Sequence, residues 1–204
     1  MKFFLWPREA IDDVKKDKSF FKVLLLLLLS SIFFLFGDLF LHYANGSFDT
    51  SQLFGSIFFS SISDASLRSI AGIIVDIAVP FFGGLFFGYI FREIIQIVEG
   101  KGSWFAGTTA VTFFLVHSTL GFLLFSLIQA VPYGQVSFSL AKFVLGFMVF
   151  SFFIARSYAS FIRAMKIMFE TDYIVSLIPL LIGISFFSLV YFFLLFATIF
   201  RIAI

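Results

Sequence analysis

Four side chains set in apolar surroundings are the candidates for chemistry: Asp38, Asp76, Lys142 and His117. An ionisable group inside hydrocarbon costs about 2.5–3.5 kcal/mol on insertion scales, so each needs a partner or a purpose. Counted along helices at about 1.5 Å per residue, Asp38, Asp76 and Lys142 fall roughly 7–10 Å from the same membrane interface. Similar depth allows an interhelical Asp–Lys contact. Three readings stand side by side: a buried salt bridge or snorkelling side chains, a proton or cation site open to that face, or groups that meet water because the helices end early. Asp76 has a further feature. Pro80 has no N–H to donate to the carbonyl four residues back, and that carbonyl belongs to Asp76. A carboxylate and a released carbonyl thus coincide at a predicted kink. Broken helices in transporters expose backbone oxygens to ions in this way, although proline kinks also occur as plain structure. His117 stands near the middle of an apolar run, with Thr112, Ser118 and Thr119 close by. A lone imidazole there either bonds a neighbouring helix or shuttles protons.

Other chemistries find no support in the residues. The chain contains no cysteine, hence no thiolate nucleophile or thiolate metal site. It has no HExxH and no GxSxG. Gly83-Gly84 lies inside an apolar run, so it is no phosphate loop. A net charge of +2 gives no nucleic-acid signal. The expectation is a non-enzymatic protein with no cofactor and no metal.

The elements that must position these groups are five apolar runs near 20–43, 69–91, 104–131, 138–155 and 173–200. A helix crossing the hydrocarbon core needs about 20 such residues. The chain is 61% hydrophobic with 36 Phe and a mean hydropathy of +1.09, whereas soluble domains are about 45–50% apolar. Val23 to Leu29 shows no alternation of apolar and polar residues, which excludes a β-barrel strand. The prediction is an all-α, polytopic membrane protein, one transmembrane domain over 1–204, multi-pass, in the cell membrane if the source is a prokaryote. Gly84-Leu85-Phe86-Phe87-Gly88, preceded by Gly83, is a GxxxG step that lets helices approach closely. It serves packing within the bundle or a homo-oligomer contact.

Lys and Arg set the orientation, because cytoplasmic loops carry the excess. Lys2, Arg8, Lys15, Lys16, Lys18, Lys22, Arg92, Lys101, Arg156, Arg163 and Lys166 fall on one side of a five-span arrangement. Only Arg68, Lys142 and Arg201 of the fourteen fall on the other. This predicts N-in, C-out. Residues 1–18 form a cytoplasmic segment with an amphipathic helix over 7–18: Pro7, Glu9, Asp12 and Asp13 suit its start, Lys15, Lys16 and Lys18 its end, and Phe3, Trp6, Ala10, Ile11 and Val14 share a face. That helix is expected on the inner membrane surface. The second span should run on to Glu99, with Gly100 as a stop and Ser103 as the next N-cap. The fourth extends past Ala155 with a basic stripe of Arg156, Arg163 and Lys166, and Glu170-Thr171-Asp172 marks the turn into the last span. Phe54, Ile57, Phe58 and Ile62 predict a short helix on the outer surface. Trp6 and Trp104 fit an inner aromatic belt, and His42 and Tyr43 an outer one.

Leu5-Trp6-Pro7-Arg8-Glu9-Ala10 before the first span, Glu99-Gly100-Lys101-Gly102-Ser103-Trp104 before the third, and Arg156 to Ala164 before the last together resemble the Yip domain family of five-span membrane proteins, named for binding Ypt/Rab GTPases. The third span departs from that pattern: it reads Phe114-Leu115-Val116-His117-Ser118-Thr119 where members often carry an aromatic and a proline. The resemblance implies a membrane-organising or partner-binding protein. In eukaryotes it implies trafficking through a long cytoplasmic N-terminal region, which here is only about 20 residues. The expected partners are the lipid bilayer, including anionic lipids, membrane proteins and a second copy of the chain. A small ion or proton channel using Asp38, Asp76 and His117 is the alternative.

Overall fold

The computed structural model describes residues 7–44, 61, 63–99, 102–131, 136–179 and 181–182. Among them the regular structure is helical: α1 (Pro7–Asp17), α2 (Phe20–Ala44), α3 (Ala65–Glu99), α4 (Trp104–Ala130) and α5 (Val136–Phe169), followed by helical residues at 173–179. Four helices are long and apolar enough to cross a membrane, over Phe20–Leu41, Ala65–Val98, Trp104–Ala130 and Leu140–Phe169. The protein is a multi-pass membrane protein. Most of the expected fifth run, 173–200, lies outside the described residues, as do Gly100, Trp6 and the expected outer helix over Phe54–Ile62 apart from position 61.

Local sequence explains where the helices begin and end. Ser103 caps α4 from an extended conformation, φ −119° and ψ 146°, and its hydroxyl accepts from the Ala106 N–H at 3.1 Å. Asp64 caps α3. Its backbone carbonyl accepts from the Arg68 N–H at 3.0 Å, and its carboxylate accepts from the N–H groups of Ser66 and Leu67 at 2.9 and 3.3 Å. Two of the helices, α1 and α5, stop through a left-handed residue that is not glycine, whereas α4 ends at Val131 in an extended conformation, φ −63° and ψ 121°. Lys18, φ 48°, ends α1 with its N–H on Val14 O; Glu170, φ 57°, ends α5, and the next N–H, Thr171, reaches back to Lys166 O. No breaker interrupts α5. The fourth apolar run therefore extends well beyond 138–155, and Arg156 becomes a mid-helix residue.

The long helices alternate in direction, and α4 is their hub: it packs against α2, α3 and α5, whereas α3 and α5 share little contact with each other. Small residues make this possible. Ala106, Gly107, Thr108, Thr109, Ala110 and Thr112 are all buried, and small side chains let backbones approach where lipid supplies no hydrophobic drive. The Thr108 hydroxyl is buried without a hydrogen-bond partner among the described residues, but other threonines of α4 satisfy theirs on the helix itself. Thr109, Thr112 and Thr119 each donate to the carbonyl four residues back at 2.7 Å. The apolar core lies towards one end, called here the α1 end, where Ala10 and Ile11 of α1 meet Ile95, Ala106, Phe161, Met165 and Phe169. At about 1.5 Å per residue, α3 and α5 are each roughly 50 Å long, more than the ~30 Å of hydrocarbon, so they overhang. The α1 helix covers the overhang of α5. Its apolar face is thereby spent on protein, where the sequence alone points to lipid.

Candidate functional site

Asp38 on α2 and Asp76 on α3 are both buried, with 6% and 0% exposure. Neither carboxylate is isolated, since each engages in polar or electrostatic contacts. Asp38 follows Gly37, a point of close approach between α2 and α4. A Cβ on Gly37 would lie 2.6 Å from the Phe122 ring and 3.3 Å from the Leu123 backbone. Asp76 stands one turn before Pro80, which lies inside α3 as expected.

His117 is fully buried on α4. Its Nδ1 lies 2.7 Å from the Phe113 carbonyl. A carbonyl can only accept, so Nδ1 carries the proton and donates to it. Lys142 sits where α4 gives way to α5. Its ammonium donates to the Val131 carbonyl at the C-cap of α4, and the Gln129 side-chain amide donates to the Lys142 carbonyl at 3.2 Å. A cation at a helix C-terminus complements the helix dipole. Among the described residues, no group of three or more His, Asp or Glu could hold a metal ion.

Gly83, Gly84 and Gly88, three of the four glycines of α3, separate into different environments. A Cβ on Gly88 would fall 2.6 Å from the Thr108 Cα, and one on Gly107 would fall 2.0 Å from the Gly88 carbonyl oxygen. Here α3 and α4 touch backbone to backbone. Gly84 meets side-chain tips instead: its Cβ would lie 2.5 Å from a Leu27 methyl and 3.0 Å from a Leu115 methyl. Gly83 makes no such close approach within the chain. A Cβ there would meet nothing within 4 Å, because Gly83 faces a cavity.

That cavity, about 480 Å³, is the candidate site. The α3 wall runs from Val79 to Phe91, the α4 wall from Val111 to Phe122, and the α5 wall from Phe150 to Phe161, with Phe34 of α2 added. Each wall spans 12 or 13 residues, or 11 to 12 helical rises, so the cavity is a slot roughly 16 Å long. Phenylalanines dominate the lining. Of the lining hydroxyls, Ser118 and Thr119 donate to the Leu115 carbonyl at 3.1 and 2.7 Å, and Tyr158 supplies a third. At the α1 end the rings of Phe91 and Phe161, 5.2 Å between centroids, close it. The phenylalanines follow no motif in the sequence, and Gly107 stands outside any GxxxG step. Pro80 and Gly83-Gly84 were the available signals, and they mark the wall where α3 stands clear of α5.

The basic stripe is split by depth. Arg163 is exposed, Lys166 lies with its ammonium 3.7 Å from the centroid of the Tyr173 ring, and Arg156 is half-buried seven residues earlier, about 10 Å further along α5. At the same end Lys15 joins α1 to α5, donating to the Ile167 carbonyl at 2.7 Å and to the Glu170 carboxylate at 2.8 Å. Compared with protein-family models, curated proteins and solved structures, the chain matches none of them.

Proposed function

We propose that this chain is a non-enzymatic, Yip-like multi-pass protein that organises membranes or binds membrane partners through its α1 end, which faces the cytoplasm in an N-in, C-out topology of five spans. The observation that carries this reading is the Lys15 contact with Ile167 and Glu170. It fixes α1 on the overhang of α5, turning an N-terminal segment into a folded platform. The apolar face of that helix is buried, with Ile11 at 0% exposure. Lys16, Lys18 and Arg163 remain exposed around it, and Lys166 stands on Tyr173. Basic groups near a membrane attract anionic headgroups at about 1 kcal/mol each. The test is retention of anionic lipid by purified protein: Arg163→Gln with Lys166→Gln should release it, and Arg156→Gln, deeper on the helix, should release less. Retention unchanged by all three substitutions would end this reading.

The burial of Asp38 and Asp76 favours a second reading, a small proton or cation channel. Flux of protons or cations into vesicles, abolished by Asp76→Asn, would establish it. Absence of flux under both a pH and a voltage gradient would leave the two carboxylates structural.

A further inference from the structure

We propose that the slot between α3, α4 and α5 is a binding site for a single lipid acyl chain. The proposal rests on the membrane placement of the helices and is independent of the headgroup platform.

A buried water needs two to four polar partners, and apolar cavities without them stay dry. Three hydroxyls line the slot; those of Ser118 and Thr119 are already spent on the Leu115 carbonyl, which leaves Tyr158 as a single polar group among walls such as Phe87 and Phe114, fewer than a water needs. Water and ions are therefore poor occupants. A volume of about 480 Å³ falls within the range of about 300–1,000 Å³ found for ligand pockets.

Shape then narrows the choice. The side that α4 does not cover lies between α3 and α5, which share little contact. On the outer faces beside the slot, Phe82, Phe86 and Phe152 are more than 60% exposed. In a bilayer such faces meet hydrocarbon, so the medium at the opening is acyl chain. A membrane-crossing helix would have to continue past both ends of the slot. The Phe91–Phe161 ring pair closes one end, and an acyl chain, which terminates inside the bilayer, suits a slot closed at one end. The length agrees as well: roughly 16 Å is about half of the ~30 Å hydrocarbon core, the reach of one leaflet. Gly83 completes the site, because its missing side chain leaves open space that a larger residue would occupy.

The experiment uses the full chain in phosphatidylcholine vesicles containing a phosphatidylcholine with a diazirine in its acyl chain. After photolysis, adducts are mapped by mass spectrometry. Adducts are expected at Phe87, Phe114 and Tyr158 in the slot and also at Phe82 and Phe86 on the outer face. Gly83→Leu, checked for unchanged melting, should lower the slot adducts about tenfold, equivalent to roughly 1.4 kcal/mol of binding, while leaving those at Phe82 and Phe86. Since the chain has no cysteine, Ser118→Cys supplies a single thiol as a second readout, expected to resist a membrane-impermeant maleimide. Outer-face adducts without slot adducts would overturn the proposal. So would rapid maleimide labelling of the thiol, which would mean a water-filled slot, or cross-linking of the slot residues to another segment or copy of the chain. Loss of adducts at Phe82 and Phe86 too would overturn the membrane placement itself.

Discussion

The two edges of α3 make opposite use of glycine. At Gly88 the missing side chain brings α3 against the backbone of α4, with Gly107 answering from the other side. At Gly83, just over one turn away, the missing side chain leaves room that no neighbouring atom fills. The same residue type thus builds a tight joint and an open slot on one helix. What decides between them is the neighbour. Gly88 faces Thr108 on the hub helix, whereas Gly83 faces the gap in front of α5. Glycine in a membrane helix is therefore evidence of close approach only when a second backbone is there to approach.

The sharpest way to break this comparison is to fill the joint from its other side. Gly107→Leu drives side-chain atoms into the Gly88 carbonyl, and backbone cannot step aside. Overpacking typically costs 1–3 kcal/mol, and here the loss should be about 3 kcal/mol or more, read as a fall in melting temperature in detergent. Gly84→Leu comes next. Its obstacles are methyl groups of Leu27 and Leu115, which can turn, so about 1–2 kcal/mol is expected. Unchanged stability and oligomeric state would remove Gly84 from any packing role.

A smaller effect is expected away from α3. Lys15→Ala should cost about 0.5 kcal/mol, as the pair with Glu170 is partly solvated, with side-chain exposures of 35% and 71%. It should appear as faster amide exchange across α1. The smallest effect belongs to the Asp64 cap. The Ser66 hydroxyl, then the Leu67 and Ser66 N–H groups, hold the Asp64 carboxyl below its ordinary value. A lowered carboxylate pKa stabilises the folded form above the unfolded value and loses that contribution as pH falls through the folded one. Amide exchange at Ser66 and Leu67 should therefore gain an acid-dependent acceleration, beyond that of neighbouring amides, which Asp64→Ala abolishes.

The helices were legible because their signals are local. Ser103 as an N-cap, the continuation of α3 to Glu99 and the turn at Glu170 to Asp172 can each be read within a few residues. The slot was not legible, because it depends on which helices stay apart. Nothing in the apolar order of Phe87, Phe114 and Tyr158 states that they share a wall-lined space. The role of α1 was read only in part. Its amphipathic face is plain from Ala10, Ile11 and Val14, but a hydrophobic face does not say whether it meets lipid or the end of α5.

The most direct test is the pair Gly88→Leu and Gly83→Leu, each melted in the same detergent beside the unmodified chain. The account predicts a large fall for Gly88→Leu and a melting temperature for Gly83→Leu that matches the parent. Equal falls for the two, or a larger one at Gly83, would contradict the division of α3 into a closed joint and an open slot.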